Sequence, residues 1–405
     1  MKILIISQYF PPEIGAAATR WSEYSNILQE MGHEVTVLCE IPNYPTGIIT
    51  EGYSKYRTAY EKLDSGVHLV RVPVWASSRE STAQRLGFFI TFMFSAMRKA
   101  LFMSRYDVTI VSSPPLFVGM IAVALKLFRK SSRIILDIRD LWPESAIVLG
   151  EISSPLVLNI GRWMERIVYK SADAYFFAVP GFKEYFKREF PEHYVKPHFP
   201  LMNGISHQFI ELMNSHQDAE LSEKFTVLYS GNIGLAQDLE MVLNAAKQLE
   251  NEAIHFQIIG DGASKTELVE YARKLEINNV EFIGSIPRIQ LINYIQKAHI
   301  CLVPLIKNDL FLNAIPSKML EYMAGNKPVV VSIKGEAEVF MKDSSGGICV
   351  EPGDANALVE AILFYFENPQ KVKLDGESGA NYVKQNFIKE TLMQNAFQYA
   401  IEENS

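Results

Sequence analysis

Short apolar runs alternate with helical periodicity along almost the whole chain. In the first half, several apolar runs have the length and composition of buried strands. They lie at residues 3–7, 35–39, 67–72, 108–112, 133–137 and 174–179. Helical patterns lie between them, most clearly at residues 19–31, 116–128 and 155–171. This alternation indicates parallel sheets joined by right-handed crossovers, and therefore an α/β fold.

The rhythm breaks between residues 191 and 224. This segment contains Pro197, Pro200 and the pair Asn203-Gly204, with polar residues around them and no clear period. Proline and glycine in such a stretch are typical of a linker between domains. We therefore place the domain junction near Gly204.

Beyond the junction the alternation starts again and is more regular. Strands are predicted at residues 225–229, 255–259, 280–283, 300–304, 328–332 and 347–350. Helices are predicted at residues 235–250, 263–275, 288–298, 316–324, 356–366 and 377–402. The expected organisation is two doubly wound parallel-sheet domains, at residues 1–200 and 201–380, followed by a C-terminal helical segment at 381–405.

Length, charge and cysteine content narrow the class of protein. The 405 residues exceed what one core usually holds, so two domains are expected. The formal net charge of −7 lacks the basic character of a nucleic-acid-binding protein. Cys39, Cys301 and Cys349 have no metal-ligand spacing and indicate no disulfide framework. The start, MKILIISQYFPPE, does not resemble a signal peptide, so we expect a cytoplasmic location.

An aromatic and methionine-rich stretch at residues 86–103 has two interpretations. Arg98 and Lys99 interrupt it, so it is too short to cross a membrane. It can be a buried or half-buried helix. Because Arg85 and Arg105 flank it, it can also be a helix whose apolar face meets the inner surface of the cell membrane.

Two segments that follow predicted strands of the second half have features of a phosphate site. Ser230-Gly231-Asn232 precedes a helix, and its glycine allows close backbone approach, although a plain tight turn also explains it. In the segment 313–321, Ser317, Lys318 and Glu321 share one face of the first helical turns. The Lys318 cation beside free helix amides suits a diphosphate, and the Glu321 carboxylate suits a ribose diol. The alternative interpretation is a capped helix with a surface ion pair.

Two further segments follow predicted strands of the first half. DIRDLWPE at 137–144 places four charged residues beside a tryptophan, which fits either an acceptor site or a buried salt-bridged corner. PPEIGAAATR at 11–20 leaves space over a helix start near Gly15. Arg20, one turn later, can face a ligand or pair with a neighbouring glutamate.

These motifs together resemble the family 4 glycosyltransferases, and within them the bacterial surface-polysaccharide branch. The carriers of the resemblance also include MNG at 202–204, YSGNIGLAQDLE at 229–240, IIGDG at 258–262, FIGSIPR at 282–288, LVPL at 302–305 and IPSKMLEYMAGNKPVV at 315–330. The resemblance implies the GT-B fold, two Rossmann-like domains facing a cleft. It also implies a final helix that returns to the N-terminal, acceptor-binding domain, and a C-terminal domain that binds the nucleotide sugar.

The resemblance implies retaining, metal-independent transfer of a sugar from a nucleotide-diphosphate donor, with no cofactor. A uridine-linked donor and a lipid-linked saccharide acceptor are expected. The candidate catalytic residues are Asp140, Arg139 and Lys318. The candidate donor-binding residues are Gly15, Ser230, Gly231, Asn232, Ile286, Arg288, Asn313, Pro316, Ser317, Lys318 and Glu321. The candidate acceptor-binding residues are Asp137, Trp142, Glu144 and Arg20.

The sequence departs from the family pattern at three points. Many relatives have a glutamate where this chain has Asn313, and many have an Arg/Lys pair after the first glycine loop, where residues 232–238 contain no basic side chain. The usual first-domain histidine is replaced by the region around Asp137. Phosphate neutralisation is then expected from Lys318, helix amides and Arg139 or Arg20. A nucleotide-sugar 2-epimerase and a non-catalytic nucleotide-sugar-binding subunit remain as alternatives.

Overall fold

The chain forms two compact units. The computed structural model describes residues 1–13, 15–44, 46–77, 81–142, 155–216, 221–308, 311–312 and 315–402. The first unit comprises Met1–Met202 and Glu390–Ser405, and the second comprises Asn203–Lys389. The chain passes from the first unit to the second after Met202, beside the junction expected near Gly204. It returns to the first unit after Lys389, nine residues beyond the boundary expected at 380/381.

The first unit is built on an eight-stranded sheet in the order β3-β4-β2-β1-β5-β6-β7-β8. Its strands are β1 (Lys2–Ile6), β2 (Glu34–Glu40), β3 (Ala59–Lys62), β4 (His68–Val72), β5 (Tyr106–Ser113), β6 (Ser131–Ile138), β7 (Ala174–Phe177) and β8 (His198–Pro200). Neighbouring strands are parallel, except that β3 runs antiparallel to β4. The short edge strands β3 and β8 were not predicted from the sequence.

Helices cover both faces of this sheet. They are α1 (Ala16–Glu30), α2 (Thr82–Phe102), α3 (Leu116–Leu127), α4 (Pro155–Ser171), α5 (Phe182–Glu189), α6 (Pro191–Tyr194) and the last helix of the chain, α15 (Lys389–Glu402). Side chains along a strand point alternately to the two faces. Leu4 and Ile6 of β1 therefore join the core beneath α2, α3 and α4, whereas Ile3 and Ile5 join the core beneath α1 and α15.

Helix α2 contains the apolar stretch that had two interpretations. Ser81 caps its start, and Gln84 completes a capping box. Phe88, Phe92 and Ala96, spaced four residues apart, are fully buried in the core. The helix is therefore half-buried, as the first interpretation required. Within the described residues, no helix is both long and apolar enough to cross a membrane.

The second unit contains a six-stranded, wholly parallel sheet in the order β11-β10-β9-β12-β13-β14. Its strands are β9 (Phe225–Ser230), β10 (Ile254–Ile259), β11 (Val280–Ile283), β12 (Ile300–Pro304), β13 (Val329–Ser332) and β14 (Gly347–Cys349). Its helices are α7 (His207–Asn214), α8 (Leu239–Gln248), α9 (Lys265–Lys274), α10 (Arg288–Lys297), α11 (Ser317–Ala324), α12 (Glu336–Ser344), α13 (Ala355–Glu367) and α14 (Pro369–Asn386). The predicted α/β class with two doubly wound parallel sheets is confirmed.

The C-terminal region differs from the single helix expected over residues 377–402. The chain forms two helices, α14 and α15, which are separated at Phe387 and Ile388. Both residues are buried, and Ile388 forms a parallel bridge with Ile205 in the second unit. From Glu390 onward the chain belongs to the first unit. There Met393 and Phe397 of α15 pack beneath the sheet.

Candidate active site

The strand order of the second unit creates a crevice between β9 and β12. From β9 the chain continues to β10 on one side, and from β12 to β13 on the other. Ligands of doubly wound sheets bind at the carboxyl ends of the strands at such a switch point. The glycine loop after β9 and helix α11 after β12 both start at this edge. The two strongest motifs of the second half therefore meet at one site.

Lys318 joins the helix to the glycine loop. Its Nζ donates a hydrogen bond to the Tyr229 hydroxyl at 2.8 Å, and that hydroxyl donates to the Asn232 carbonyl at 2.5 Å. A Cβ added at Gly231 would lie 2.5 Å from the Lys318 Nζ. The φ of Gly231 is also +136°, which side chains rarely adopt. Glycine is thus required at 231 so that the ammonium can lie against the loop.

The positive charge of Lys318 is only partly stabilised by the nearby carboxylate of Glu321. Burial lowers its pKa to about 8, against the opposing attraction of Glu321. Desolvation disfavours the charged form of a lysine unless an anion accompanies it. An anionic ligand over the start of α11 would supply that charge. Such perturbed groups are concentrated at functional sites.

Glu321 lies one turn further along α11 and pairs with Arg288 at the start of α10. The Arg288 Nη2 is 3.2 Å from the Glu321 Oε1, and its guanidinium lies 4.6 Å from the centre of the Phe209 ring. Both charged side chains are partly exposed. Ile286 lies in the loop that leads into α10 and is half-buried. The structure therefore brings Gly231, Lys318, Glu321 and Arg288 together, as the sequence predicted.

Tyr322 ties α11 to the end of β9 and was missed by sequence reasoning. Its hydroxyl accepts a hydrogen bond from the Ser230 amide at 2.8 Å and lies 2.9 Å from the Ser230 Oγ. Ser230 is consequently buried, with its amide and hydroxyl engaged. The prediction that the Ser230 side chain contacts the donor does not fit this structure, because that side chain is buried against Tyr322. A tyrosine within an apolar stripe was a signal, because a buried hydroxyl needs a partner.

The first residues of α11 are accessible. Pro316 is the N-cap rather than the first helical residue, and in the described part of the chain no side chain caps this end. Ser317 and the side chain of Asn232 are exposed. Asn313 lies outside the described residues. The amides at this helix start are therefore suited to an anion.

In the first unit, Asp137 and Arg20 form a buried structural ion pair. Arg20 contacts both Asp137 oxygens, at 2.7 Å and 3.3 Å, and also donates to the Leu201 carbonyl. Trp21 and Ser112 donate two further hydrogen bonds to the Asp137 carboxylate. Burial disfavours the charged form of Arg20, but Asp137 and Tyr24 together outweigh this effect and raise the Arg20 pKa. The acceptor-binding roles predicted for Asp137 and Arg20 are wrong, because both side chains are buried and engaged within the protein.

The other candidates of the first unit lie at the carboxyl edge of its sheet. Asp140 is exposed, and Trp142 packs half-buried against the core beneath α2, α3 and α4. Glu144 lies outside the described residues. At Gly15, the N-cap of α1, an added Cβ would meet no atom of the described residues within 4 Å. Open space over a helix start is what the sequence predicted there. In the described ranges, no cluster of three or more histidine, cysteine or acidic side chains could hold a metal ion.

Comparison with known families decides the identity of the fold. The family described as "Glycosyl transferase 4-like domain" matches residues 15–195, and the family described as "Glycosyl transferases group 1" matches residues 213–382. Together they cover both units. The chain is a family 4 glycosyltransferase with the GT-B fold.

Individual relatives extend along nearly all of this glycosyltransferase. The "Putative colanic acid biosynthesis glycosyl transferase WcaI" of Escherichia coli (strain K12) is 27% identical over 382 residues, covering 89% of this chain and 91% of the relative. Among solved structures, the sucrose-phosphate synthase of Thermosynechococcus elongatus has a TM-score of 0.75 at 17% identity, covering 98% and 97% of the chains. Anabaena Alr3699/HepE in complex with UDP-glucose has a TM-score of 0.69 at 13% identity, covering 98% of each. These structural likenesses describe the fold of the glycosyltransferase.

Proposed function

We propose that this glycosyltransferase moves a sugar from a nucleotide-diphosphate donor to a lipid-linked saccharide in surface polysaccharide synthesis, with retention of anomeric configuration and without a metal. The observation that carries the proposal is the start of α11. There an ammonium lies against a glycine loop and a carboxylate lies one turn further along the helix, at the switch point of a doubly wound sheet. Lys318 suits a diphosphate and Glu321 suits the ribose diol.

The names of two similar proteins support the substrate classes. WcaI is named for colanic acid biosynthesis, which agrees with a polysaccharide role. Alr3699/HepE was solved with UDP-glucose, which agrees with a uridine-linked donor. The donor would lie over α11, with its base beside Ile286 and Arg288.

The proposed reaction is a front-face displacement. The acceptor oxygen bonds to the anomeric carbon on the face from which the diphosphate leaves, and the hydroxyl proton passes to a departing phosphate oxygen. Lys318 and the uncapped amides of α11 stabilise the negative charge that develops on the leaving diphosphate. Asp140, exposed at the end of β6, is proposed to orient the acceptor hydroxyl.

A surface of the first unit suits a lipid-linked acceptor. Helix α2 packs against α3, and both helices end at the same edge of the sheet. Large apolar side chains are exposed on these helices and just beyond them, namely Phe94, Phe102, Leu127 and Phe128. Exposed basic residues accompany them, namely Arg98, Arg105, Lys126 and Arg129. Apolar side chains flanked by positive charge favour the interface of an anionic membrane.

Release of nucleoside diphosphate tests this function. Candidate donors would be incubated with membrane lipid extract, without it, and with a chelator. Acceptor-dependent release that survives the chelator supports the proposal. Interconversion of nucleotide sugars without release would instead identify a 2-epimerase, and binding without either reaction would identify a binding subunit.

Replacing Glu321 with alanine should weaken donor binding by about 1.5–3 kcal/mol, because a charged hydrogen-bond acceptor for the ribose is lost. The donor would be chosen by a thermal-shift screen of nucleotide sugars, and its affinity measured by calorimetry. Glu270→Ala is the matched control, since Glu270 is exposed on α9 of the same unit. A folded Glu321→Ala variant that binds the donor as tightly as the wild type would contradict the ribose role.

Donor binding should depend on pH through Lys318. Its pKa of about 8 in the ligand-free protein would rise when a diphosphate favours the protonated form. At pH 8 binding should therefore take up about half a proton, and affinity should fall as the pH rises further. Calorimetric titrations in two buffers of different ionisation enthalpy measure this uptake. It should disappear in Lys318→Met, and equal wild-type heats in both buffers would refute it.

A further inference from the structure

Arg139 lies beside the switch point of the first unit, which falls between β1 and β5. In that sheet the chain continues from β1 to β2 on one side and from β5 to β6 on the other. Arg139 directly follows β6, and its amide donates to the Ser113 carbonyl at 2.8 Å. Its Nε donates to the Ser112 hydroxyl at 2.9 Å, and its Nη2 donates to the Pro114 carbonyl. The guanidinium is thus fixed at the edge where ligands of such sheets bind.

The charge of Arg139 is not neutralised by an ion pair. Asp137, two residues earlier, is already paired with Arg20 and accepts two further hydrogen bonds. Asp140 is exposed and accepts a hydrogen bond from the Leu141 amide. In the described parts of the chain, no carboxylate oxygen lies within 4 Å of the Arg139 guanidinium. Burial lowers the Arg139 pKa, and Arg20 lowers it further, against the attraction of Asp137.

Arg139 also has unused hydrogen-bonding capacity. A guanidinium carries five N–H donors, and only the bonds to Ser112 and Pro114 are made to the described residues. The remaining three N–H groups belong to a half-buried side chain that still reaches solvent. A fixed guanidinium with spare donors, and with no ion pair to the described residues, matches the oxygens of a phosphate.

The loop after β1 faces the same group. Tyr9 on this loop lies near Arg139. The loop continues to Gly15, where the start of α1 is open and no side chain of the described residues caps it. The amides of that helix start add positive potential at the same edge of the sheet.

We propose that Arg139 is an anion subsite for a phosphate group carried by the acceptor, and that it selects phosphorylated acceptors over neutral ones. Ser112 is the positioning residue that fixes its guanidinium. The identification of the anion as part of the acceptor rests on the proposed function. The anion subsite itself does not. The phosphate can join the saccharide to a lipid or belong to a free sugar phosphate, and the recognition chemistry is the same.

Acceptor competition tests the subsite. The full chain would be assayed with a saccharide linked to polyprenol through diphosphate, a saccharide 1-phosphate, and a neutral alkyl glycoside of the same saccharide. The wild type should prefer the phosphorylated acceptors, and Arg139→Gln should reduce that ratio of kcat/KM by about tenfold or more, mainly through KM. Arg139→Lys, which keeps the charge, should retain part of the preference. Arg188→Gln, an exposed arginine of the same unit, is the matched control.

Two results of this assay distinguish the lipid from the free phosphate. If both phosphorylated acceptors depend on Arg139, the phosphate alone is recognised; if only the polyprenol-linked acceptor does, the subsite is specific for the lipid diphosphate. An unchanged ratio in a folded Arg139→Gln variant would overturn the proposal.

If no acceptor reacts, that result counts against the proposed function alone. A second measurement then tests the subsite by itself. Inorganic phosphate would be titrated into the full chain labelled with 15N-arginine. The Nε–H resonance of Arg139, identified by its absence in Arg139→Gln, should shift saturably, and should do so also in a Lys318→Met background. No shift at saturating phosphate would refute the anion subsite regardless of the enzyme activity.

Discussion

Replacing Lys318 with methionine is expected to lower kcat/KM by about 10²–10³-fold, or about 3–4 kcal/mol of transition-state stabilisation. The ammonium lies beside the proposed position of the leaving diphosphate, and this chain has no Arg/Lys pair after its glycine loop to share that role. Methionine keeps most of the length of the lysine side chain and removes only the ammonium. Because removal of a buried charge relieves its desolvation, the melting temperature should not fall.

Turnover and folding are measured together, because a catalytic role of Lys318 affects the first and a structural role affects the second. Steady-state rates and circular-dichroism melting curves would be recorded for Lys318→Met and for Lys274→Met, a control at an exposed lysine on α9. Only Lys318→Met should lose turnover. Loss of its melting transition would instead support a structural role for the contact with Tyr229.

Replacing Asp137 with asparagine is expected to destabilise the first unit by about 3–5 kcal/mol, because it leaves the buried charge of Arg20 without its partner. Asparagine preserves the volume and some of the hydrogen bonds from Trp21 and Ser112. The loss of stability therefore comes mainly from the missing negative charge. Arg139, the other cation nearby, would make the site still more unfavourable.

Denaturant titration followed by tryptophan fluorescence measures this effect selectively. All four tryptophans lie in the first unit, at positions 21, 75, 142 and 163. The double variant Arg20→Met with Asp137→Asn should recover part of the loss, since both charges are then removed. A double-mutant cycle with a coupling energy near zero would show that the pair contributes nothing to stability.

The grouping of residues at the proposed donor site was predictable because these residues lie close to secondary structure that the sequence marks clearly. Gly231 directly follows a buried strand, and Lys318 and Glu321 share a helix face at a spacing of three residues. The strand order then brings loop and helix together. The identities of the residues that bond the Tyr229 and Tyr322 hydroxyls were not predictable, since Lys318 and Ser230 lie 89 and 92 residues away from them.

The acceptor side shows why local charge is a weaker guide. Asp137 and Arg20 are 117 residues apart, and the sequence does not reveal that each buries the other. The DIRD segment therefore contains Asp137, which is buried in an ion pair, and Arg139, which forms no ion pair with the described residues. Strands β3 and β8 were missed because four and three residues at a sheet edge carry too little hydrophobic pattern.

The start of α11 is proposed to bind the diphosphate of the donor. A crystal structure of the chain with the nucleoside diphosphate selected by thermal shift would test it most directly. We expect phosphate oxygens within hydrogen-bonding distance of the Lys318 ammonium and the first amides of α11, and the ribose hydroxyls on Glu321. A nucleotide bound elsewhere, with the Lys318 ammonium still on Tyr229 and no phosphate beside it, would contradict the claim.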